Sequence, residues 1–446
     1  MRRSLITILI VNLALAAPLL AIDPWEYHQR LGERLFAYGR TAEAEAELKK
    51  ALKIAGGFPP GDRRLEATLE DLGKLYENEQ RVGEAQAMYS LLLAAVEARA
   101  GKDSPELLPP LAAAGRTALA GGDVPTARED LDRYAELAAK TGAGDPDRHR
   151  AVLKMLARMA AVNGDFKTAL TRQREAVALL DSGTATDEER AASLESLAQL
   201  ELAHGSAEDG ARVLQKVARL QVADPDLGNA AATLTKGAQA AMTGGNPEVA
   251  ADLARAALEA GAAGENQLEA RTIVAGAAWR TIGAEGVSPA DLLGVRKGDP
   301  KVISVRKSLD ELDVLQKQHL GATDPRTMTT LGRLARVAAM EGDTDGALTY
   351  LSDLETAATK RGDSQLQLTA LEERAGLLRA AGRSSQAIEA NTKLIAAIET
   401  ARGPDDPSLL PVLRAQEELL RSVHRKKEAR KIHKRLRKLE RATRHR

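Results

Sequence analysis

Residues 31–52 read LGERLFAYGRTAEAEAELKKAL, and residues 72–93 read LGKLYENEQRVGEAQAMYSLLL. A shift of 41 places Leu31-Gly32 over Leu72-Gly73, Leu35 over Tyr76, Ala44 over Ala85 and Leu48 over Tyr89. A third line, Ala114-Gly115, Ala118, Gly122, Ala127 and Leu131, fills the same slots. Within each line, apolar or small residues recur three and four apart, break, and resume. That is the pattern of two amphipathic helices joined by a short turn.

Working outward, a Gly followed five residues later by a small residue marks each unit: Gly39/Ala44, Gly122/Ala127, Gly164/Ala169, Gly205/Gly210, Gly245/Ala250, Gly342/Ala347 and Gly382/Ala387. Two further units keep the small residue without the Gly, at Gln80/Ala85 and His424/Ala429. Successive small residues lie 41, 42, 42, 41, 40, 97, 40 and 42 positions apart, so the long gap has room for one degenerate unit carrying an insertion. A turn Gly can adopt the left-handed conformation that closes a first helix. The small residue sits where two helix backbones cross closely. The linkers Ser104-Pro105, Asp145-Pro146, Asp224-Pro225, Asp324-Pro325 and Asp406-Pro407 each supply a capping side chain and then a Pro suited to the first helical position.

Composition agrees. Of 446 residues 44% are hydrophobic but only 2% aromatic, so the apolar surface is mostly the Ala and Leu that helices favour. The predicted fold is all-α, with about ten helix pairs.

The order Leu-Gly, Leu or aromatic, Gly, Ala, Leu or aromatic resembles the tetratricopeptide repeat. Units near 41 residues, with linkers such as Gly403-Pro404-Asp405-Asp406-Pro407, resemble the long kinesin-light-chain-type variant, here of an exported bacterial type. The resemblance runs over roughly residues 26–441 and is weakest from Gly283 to Lys301. It implies a right-handed α-α superhelix whose first helices line a concave groove, and a non-enzymatic role in binding a partner protein or peptide. It also implies that side chains two positions after the Leu of Leu-Gly, or after the equivalent residue of a unit that lacks that pair, enter the groove. These are Glu33, Lys74, Arg116, Arg158, Gln199, Gln239, Arg336, Gly376 and Glu418, with Lys154 one turn before Arg158. Lys74, Arg116, Lys154 and Arg158 form a cationic stripe suited to an acidic peptide or a carboxylate. Gln199, Gln239 and Arg336 extend the site. The competing reading is a groove that is simply solvated and polar.

The segment boundaries follow from the same pattern. Arg2 and Arg3 precede an apolar run, Leu5 to Ala21, with small residues near its end, so residues 1–21 read as a cleaved secretory signal peptide. Residues 22–282 form an N-terminal array of about six and a half repeats, 283–301 an irregular insertion, 302–420 a C-terminal array, and 421–446 a basic terminal helix. That last segment holds 13 Lys/Arg against 2 Asp/Glu, although the whole chain sums to zero. A capping helix explains it, and it is also where a membrane surface would be met. Export and the lack of aromatic stacking platforms argue against nucleic acid.

No phosphate loop, Gly-x-Ser-x-Gly elbow, dinucleotide fingerprint or His-Glu-x-x-His is present, and without Cys there is neither thiol catalysis nor disulfide. No catalytic residue, metal site, cofactor or small-molecule substrate is expected. The protein is expected in the periplasm or medium. The alternatives to a groove-binding adaptor are membrane association, through an uncleaved N-terminus or the basic helix, and a self-assembling structural subunit.

Overall fold

A computed structural model describes residues 23–444; the expected signal peptide, residues 1–21, lies outside them. The chain divides into two compact units at 200/201. In the first, α1 (Pro24–Ala37) packs on α2 (Thr41–Ala55), α3 (Arg63–Asn78) on α4 (Val82–Ala100), α5 (Leu108–Ala120) on α6 (Val124–Thr141), and α7 (Pro146–Val162) on α8 (Phe166–Ala178). The boundary falls inside α9 (Asp187–His204), whose C-terminal Leu202 meets Gly210 of α10 (Ala207–Ala223). The second unit continues with α11 (Ala230–Thr243) on α12 (Pro247–Glu259), and α13 (Gly264–Arg280) followed by α14 (Pro300–His319). Then α15 (Pro325–Glu341) packs on α16 (Thr344–Arg361), α17 (Ser364–Ala380) on α18 (Ser384–Arg402), and α19 (Leu409–Ser422) on α20 (Lys426–Arg444). The described residues thus form twenty α-helices in ten successive pairs and no strand, the all-α fold expected from the sequence.

Eight of the ten turns within pairs are built the same way. Gly122 takes φ +81°; its N–H donates to the Leu119 carbonyl, and the Asp123 N–H reaches back to Ala118. This pair of hydrogen bonds is the Schellman closure that satisfies the last carbonyls of a helix. It recurs with Gly39, Gly164, Gly245, Gly342 and Gly382, all at positive φ. Where the sequence lost its Gly, the backbone kept the conformation: Gln80 (φ 58°) and His424 (φ 59°) are the non-Gly residues at positive φ among the described residues. Gly205 departs from the expectation. Its N–H continues the helical pattern to Glu201, its φ is not positive, and the turn is made by Ser206, which caps α10 through the Asp209 N–H.

The small residues fit their assigned slot. Ala44, Ala85, Ala127, Ala169, Ala250, Ala347 and Ala387 are fully buried. The Gly of Leu-Gly lies against a large side chain of its partner helix. A Cβ on Gly32 would come 2.7 Å from Leu48, on Gly73 2.7 Å from Tyr89, and on Gly115 2.6 Å from Leu131. One Gly thus lets a Leu or Tyr sixteen residues on seat against the helix backbone. Two of the five linkers cap α-helices as read, the carboxylates of Asp145 and Asp324 accepting N–H bonds at the starts of α7 and α15; Ser104 and Asp224 instead start short 3-10 turns, α11 being capped by Asn229, and Asp406 accepts the Ser408 N–H ahead of α19, which has no side-chain cap.

In the degenerate unit, residues 281–299 separate α13 from α14 as a chain of turns and are fastened to α15. The Gly294 and Arg296 N–H groups donate to the carbonyls of Ala339 and Met340 at 2.8 and 3.1 Å. Ile282, Ala284 and Leu292 join the core with Trp279. The insertion is a packed element and not a slack loop.

Candidate functional site

Charged contacts between neighbouring pairs show how the helices are layered. First helices bridge to first helices: Arg116 of α5 to Glu77 of α3, Arg150 of α7 to Glu189 of α9, and Arg336 of α15 to Glu373 of α17. Second helices bridge to second helices, as Arg133 of α6 does to Glu97 of α4 and Arg172 of α8 to Asp132 of α6. The residues read as groove-facing therefore belong to one layer within each unit.

In the first unit that layer does not carry a uniform cationic stripe. Lys74 is exposed but lies 2.7 Å from Glu70 on its own helix. The Arg116 guanidinium makes a forked contact with Glu77, both oxygens at 2.8 Å, and the Tyr89 hydroxyl donates to the same carboxylate at 2.7 Å. Burial and this acceptor push the Tyr89 hydroxyl's pKa up, so the phenol stays protonated. Lys74 and Arg116 line a cavity of about 340 Å3 together with Glu66, Glu70, Glu77 and Glu106, so its charge is mixed. An exposed ion pair contributes only about 0–1 kcal/mol. Such pairs neutralise the wall without locking it.

The two remaining cations differ. Lys154 and Arg158 of α7 have no carboxylate within ion-pair distance, and neither does Arg148, which also lines the cavity. Arg148, Ala151, Arg158 and Val162 recur at helical spacing on the exposed side of α7, where Val162 is 82% exposed, while Met155 packs against the core. Sequence reasoning missed Arg148, because its spacing to Lys154 does not put the two on one face of the helix. Gln199 of α9 is exposed.

In the second unit, Gln239 is exposed on α11. Arg336 is engaged by the protein itself. Its guanidinium donates to the Val287 carbonyl at 2.8 Å, to Gly332 at 2.9 Å and to Glu373, so it braces the insertion. The expectation that Arg336 offers itself to a partner did not foresee these contacts, because their partners come from the insertion and from α17. Burial raises the pKa of the Glu373 carboxyl, and Arg336 opposes that.

Among the described residues no group of three His, Asp or Glu is placed to hold a metal ion. No described helix is long and apolar enough to cross a membrane.

Ten helix pairs, eight of them closed by Schellman turns, with buried small residues and, in the first three, Gly-to-Leu or Gly-to-Tyr seats, define an all-α, tetratricopeptide-like repeat fold. Among solved structures it is similar to the nearly identical TPR-like repeats of a kinesin light chain from Podosopora anserina, at 25% identity and TM-score 0.37, over 45% of this chain and 96% of that one. It is also similar to BtubC (BKLC) from P. vanneervenii, at 17% identity and TM-score 0.38, over 43% and 78%. The TPR domain of P58(IPK) is similar over 90% of this chain and 99% of that one, at 13% identity and TM-score 0.24. No protein-family model and no curated protein sequence matches the chain. With TM-scores this low, the repeat assignment stands on the helix pairs themselves.

Proposed function

We propose that the chain is an exported, non-enzymatic scaffold that holds a partner protein or peptide on the first-helix layer of its 23–200 unit. The contact is an acidic segment lying on Arg148, Lys154 and Arg158 of α7. The observation that carries this is the difference between neighbours: α7 pairs its buried Arg150 but leaves Arg148, Lys154 and Arg158 without a carboxylate, whereas Lys74 of α3 and Arg116 of α5 are neutralised by Glu70 and Glu77. An unpaired guanidinium offers a forked donor set to a carboxylate without first breaking a bond. Proteins that co-purify with the full chain are identified, and their affinities for wild type and variants are then measured. The double change Lys154→Ala/Arg158→Ala is expected to weaken binding at least tenfold, and the loss to shrink at high salt. Lys74→Ala is expected to change little. Equal affinity of the double variant and wild type would remove α7 from the reading.

A second reading rests on α20. Its apolar stripe, Ala429, Ile432, Leu436 and Leu439, is used up in packing. Its outer side carries Lys426, Lys427, Arg430, Lys431, Lys434, Arg437, Lys438 and Arg441, none within 4.0 Å of a carboxylate. Such a face meets an anionic lipid surface by charge alone, at about 1 kcal/mol per residue near the surface. Sedimentation with phosphatidylserine-rich vesicles at low salt, reversed by salt and absent for pure phosphatidylcholine, is the expected result. Failure to sediment at low salt would eliminate it.

A further inference from the structure

The first and last helices are finished differently. The last, α20, turns cations to its outer side, the polar finish that a terminal repeat needs to stay soluble. The first, α1, does not. No described element precedes it, so the face that in α3 packs against the first pair stands uncovered in α1. In α3 that face is Thr68, held by Trp25 and Gln29, with Leu72 and Leu75, all fully buried. One repeat earlier the same slots hold Tyr27, Leu31 and Arg34. Tyr27 is 51% exposed, and Tyr38, at the C-cap of α1, is 80% exposed. These two are the exposed aromatic side chains among the described residues, in a chain that is only 2% aromatic.

Pro24, Tyr27, Leu31, Arg34 and Tyr38 follow one another at spacings of 3, 4, 3 and 4. That is the seam along which two helices lie side by side, each side chain seating between those of its neighbour. Leu31, at the middle, is half-buried against the core, while Pro24 and Arg34 are exposed. Arg34 has no carboxylate within ion-pair distance; its Nε–H reaches the Arg30 carbonyl at 3.4 Å.

We infer that this face of α1 pairs with the same face of a second copy of the chain, the two helices running antiparallel across a two-fold axis at Leu31. Antiparallel pairing sets Tyr38 over Pro24 of the second copy and Arg34 over its Tyr27, so the charge on the seam lies against an aromatic ring. Parallel pairing would set the two Arg34 charges against each other. Stacking α1 on the last helix of another copy is opposed by charge. The seam carries Arg34 and no carboxylate, and α20 presents Lys427, Lys431, Lys434 and Lys438. The contact is therefore isologous and closes at two copies. Two heptads bury less than the roughly 1,600 Å2 of a standard interface, so the pair forms in the micromolar range. Two copies so joined carry two α7 faces on one particle, and the pairing stands whether or not the proposed α7 contact does.

The test is sedimentation equilibrium of the full chain, as purified from the cells that make it, over a concentration series through the micromolar range. The mass is expected to rise from one chain to two and to stop there. Tyr27→Lys/Tyr38→Lys alters two exposed side chains and is expected to weaken pairing at least tenfold, with the melting temperature in dilute solution unchanged. Because the chain has no Cys, single introduced thiols report the geometry. Under mild oxidation Leu31→Cys is expected to give a disulfide-linked dimer. Tyr38→Cys alone is expected to give none, since its two copies stand about 20 Å apart across the axis. A mixture of Pro24→Cys and Tyr38→Cys chains is expected to link. Lys434→Glu/Lys438→Glu and Lys154→Ala/Arg158→Ala are expected to leave the mass unaltered. A single-chain mass at every concentration would give the face to another occupant, residues 1–21 of the same chain or a different protein, and would overturn the pairing. Growth beyond two chains, stronger association of Lys434→Glu/Lys438→Glu, undiminished pairing of Tyr27→Lys/Tyr38→Lys, or self-linkage of Tyr38→Cys would each overturn it as well.

Discussion

At the scale of single residues, the repeat is a set of backbone requirements that side chains either meet or resist. Gln80 and His424 hold φ values of 58° and 59° at turns that elsewhere use Gly. A side chain in this region costs about 1 kcal/mol or more, because Cβ crowds the backbone. Both residues are exposed, so little is lost with the side chain. Gln80→Gly and His424→Gly are each expected to stabilise the chain by about 0.5–1 kcal/mol, read as a higher denaturation midpoint at unchanged slope. Gly122→Gln is expected to move the midpoint the other way. The sequence announced these turns by spacing alone, including the two that lost their Gly. Gly205 misled because glycine permits positive φ without requiring it, and Ser206 supplied an alternative closure through its own side chain.

At the scale of helices, the same repeat position does different work depending on what a neighbouring element brings. Arg116, after Ala114-Gly115, and Arg336, after Leu334-Ala335, occupy equivalent positions in their repeats. Arg116 is half exposed and meets Glu77 at the surface. Arg336 is 20% exposed, and its partner Glu373 is 12% exposed. Removing one member of a buried pair strands the other, at about 3 kcal/mol or more, whereas an exposed pair contributes about 0–1 kcal/mol. Arg336→Ala is therefore expected to lower stability by about 3 kcal/mol and to speed amide exchange at Gly294 and Arg296, while Arg116→Ala lowers it by less than about 1 kcal/mol. Comparable losses for both would refute the bracing role. This is also why the cationic stripe was only partly legible. Helical spacing tells which residues share a face, but Glu77 and Glu373 sit a whole repeat away from the arginines they engage. Insertion contacts such as that to Val287 have no period to read.

At the scale of the whole chain, net charge zero conceals carboxylates pulled in opposite directions. Burial, followed by nearby Glu33 and Glu70, outweighs Lys74 and raises Asp71 from 3.8 to about 6. Burial and adjacent Glu129 raise Asp130 likewise, from 3.8 to about 6. Between those values the folded chain binds protons that the unfolded chain does not, so these two groups make the protein more stable as pH falls from 7 toward 4. Glu45 has the opposite sign. Hydrogen bonds from Arg81 and then Lys49 lower it from 4.5 to about 2, so its contribution is present above pH 4.5 and lost as pH falls toward 2. Asp123, Asp165 and Asp343, whose carboxylates accept helix-start N–H groups, are also lowered and add to that acid-side loss. The melting temperature is thus expected to rise from pH 7.5 to a maximum near pH 5 and to fall steeply below pH 4. Asp71→Asn/Asp130→Asn mimics the protonated forms, and the amide oxygen introduced in place of the Asp71 carboxylate would still accept the hydrogen bond that Gln29 gives. The double variant is expected to melt higher than wild type at pH 7.5 and to lose the rise toward pH 5, while its acid limb keeps its position. A wild-type melting temperature that falls steadily from pH 7.5 downward would show that these two carboxyls titrate normally in the folded chain.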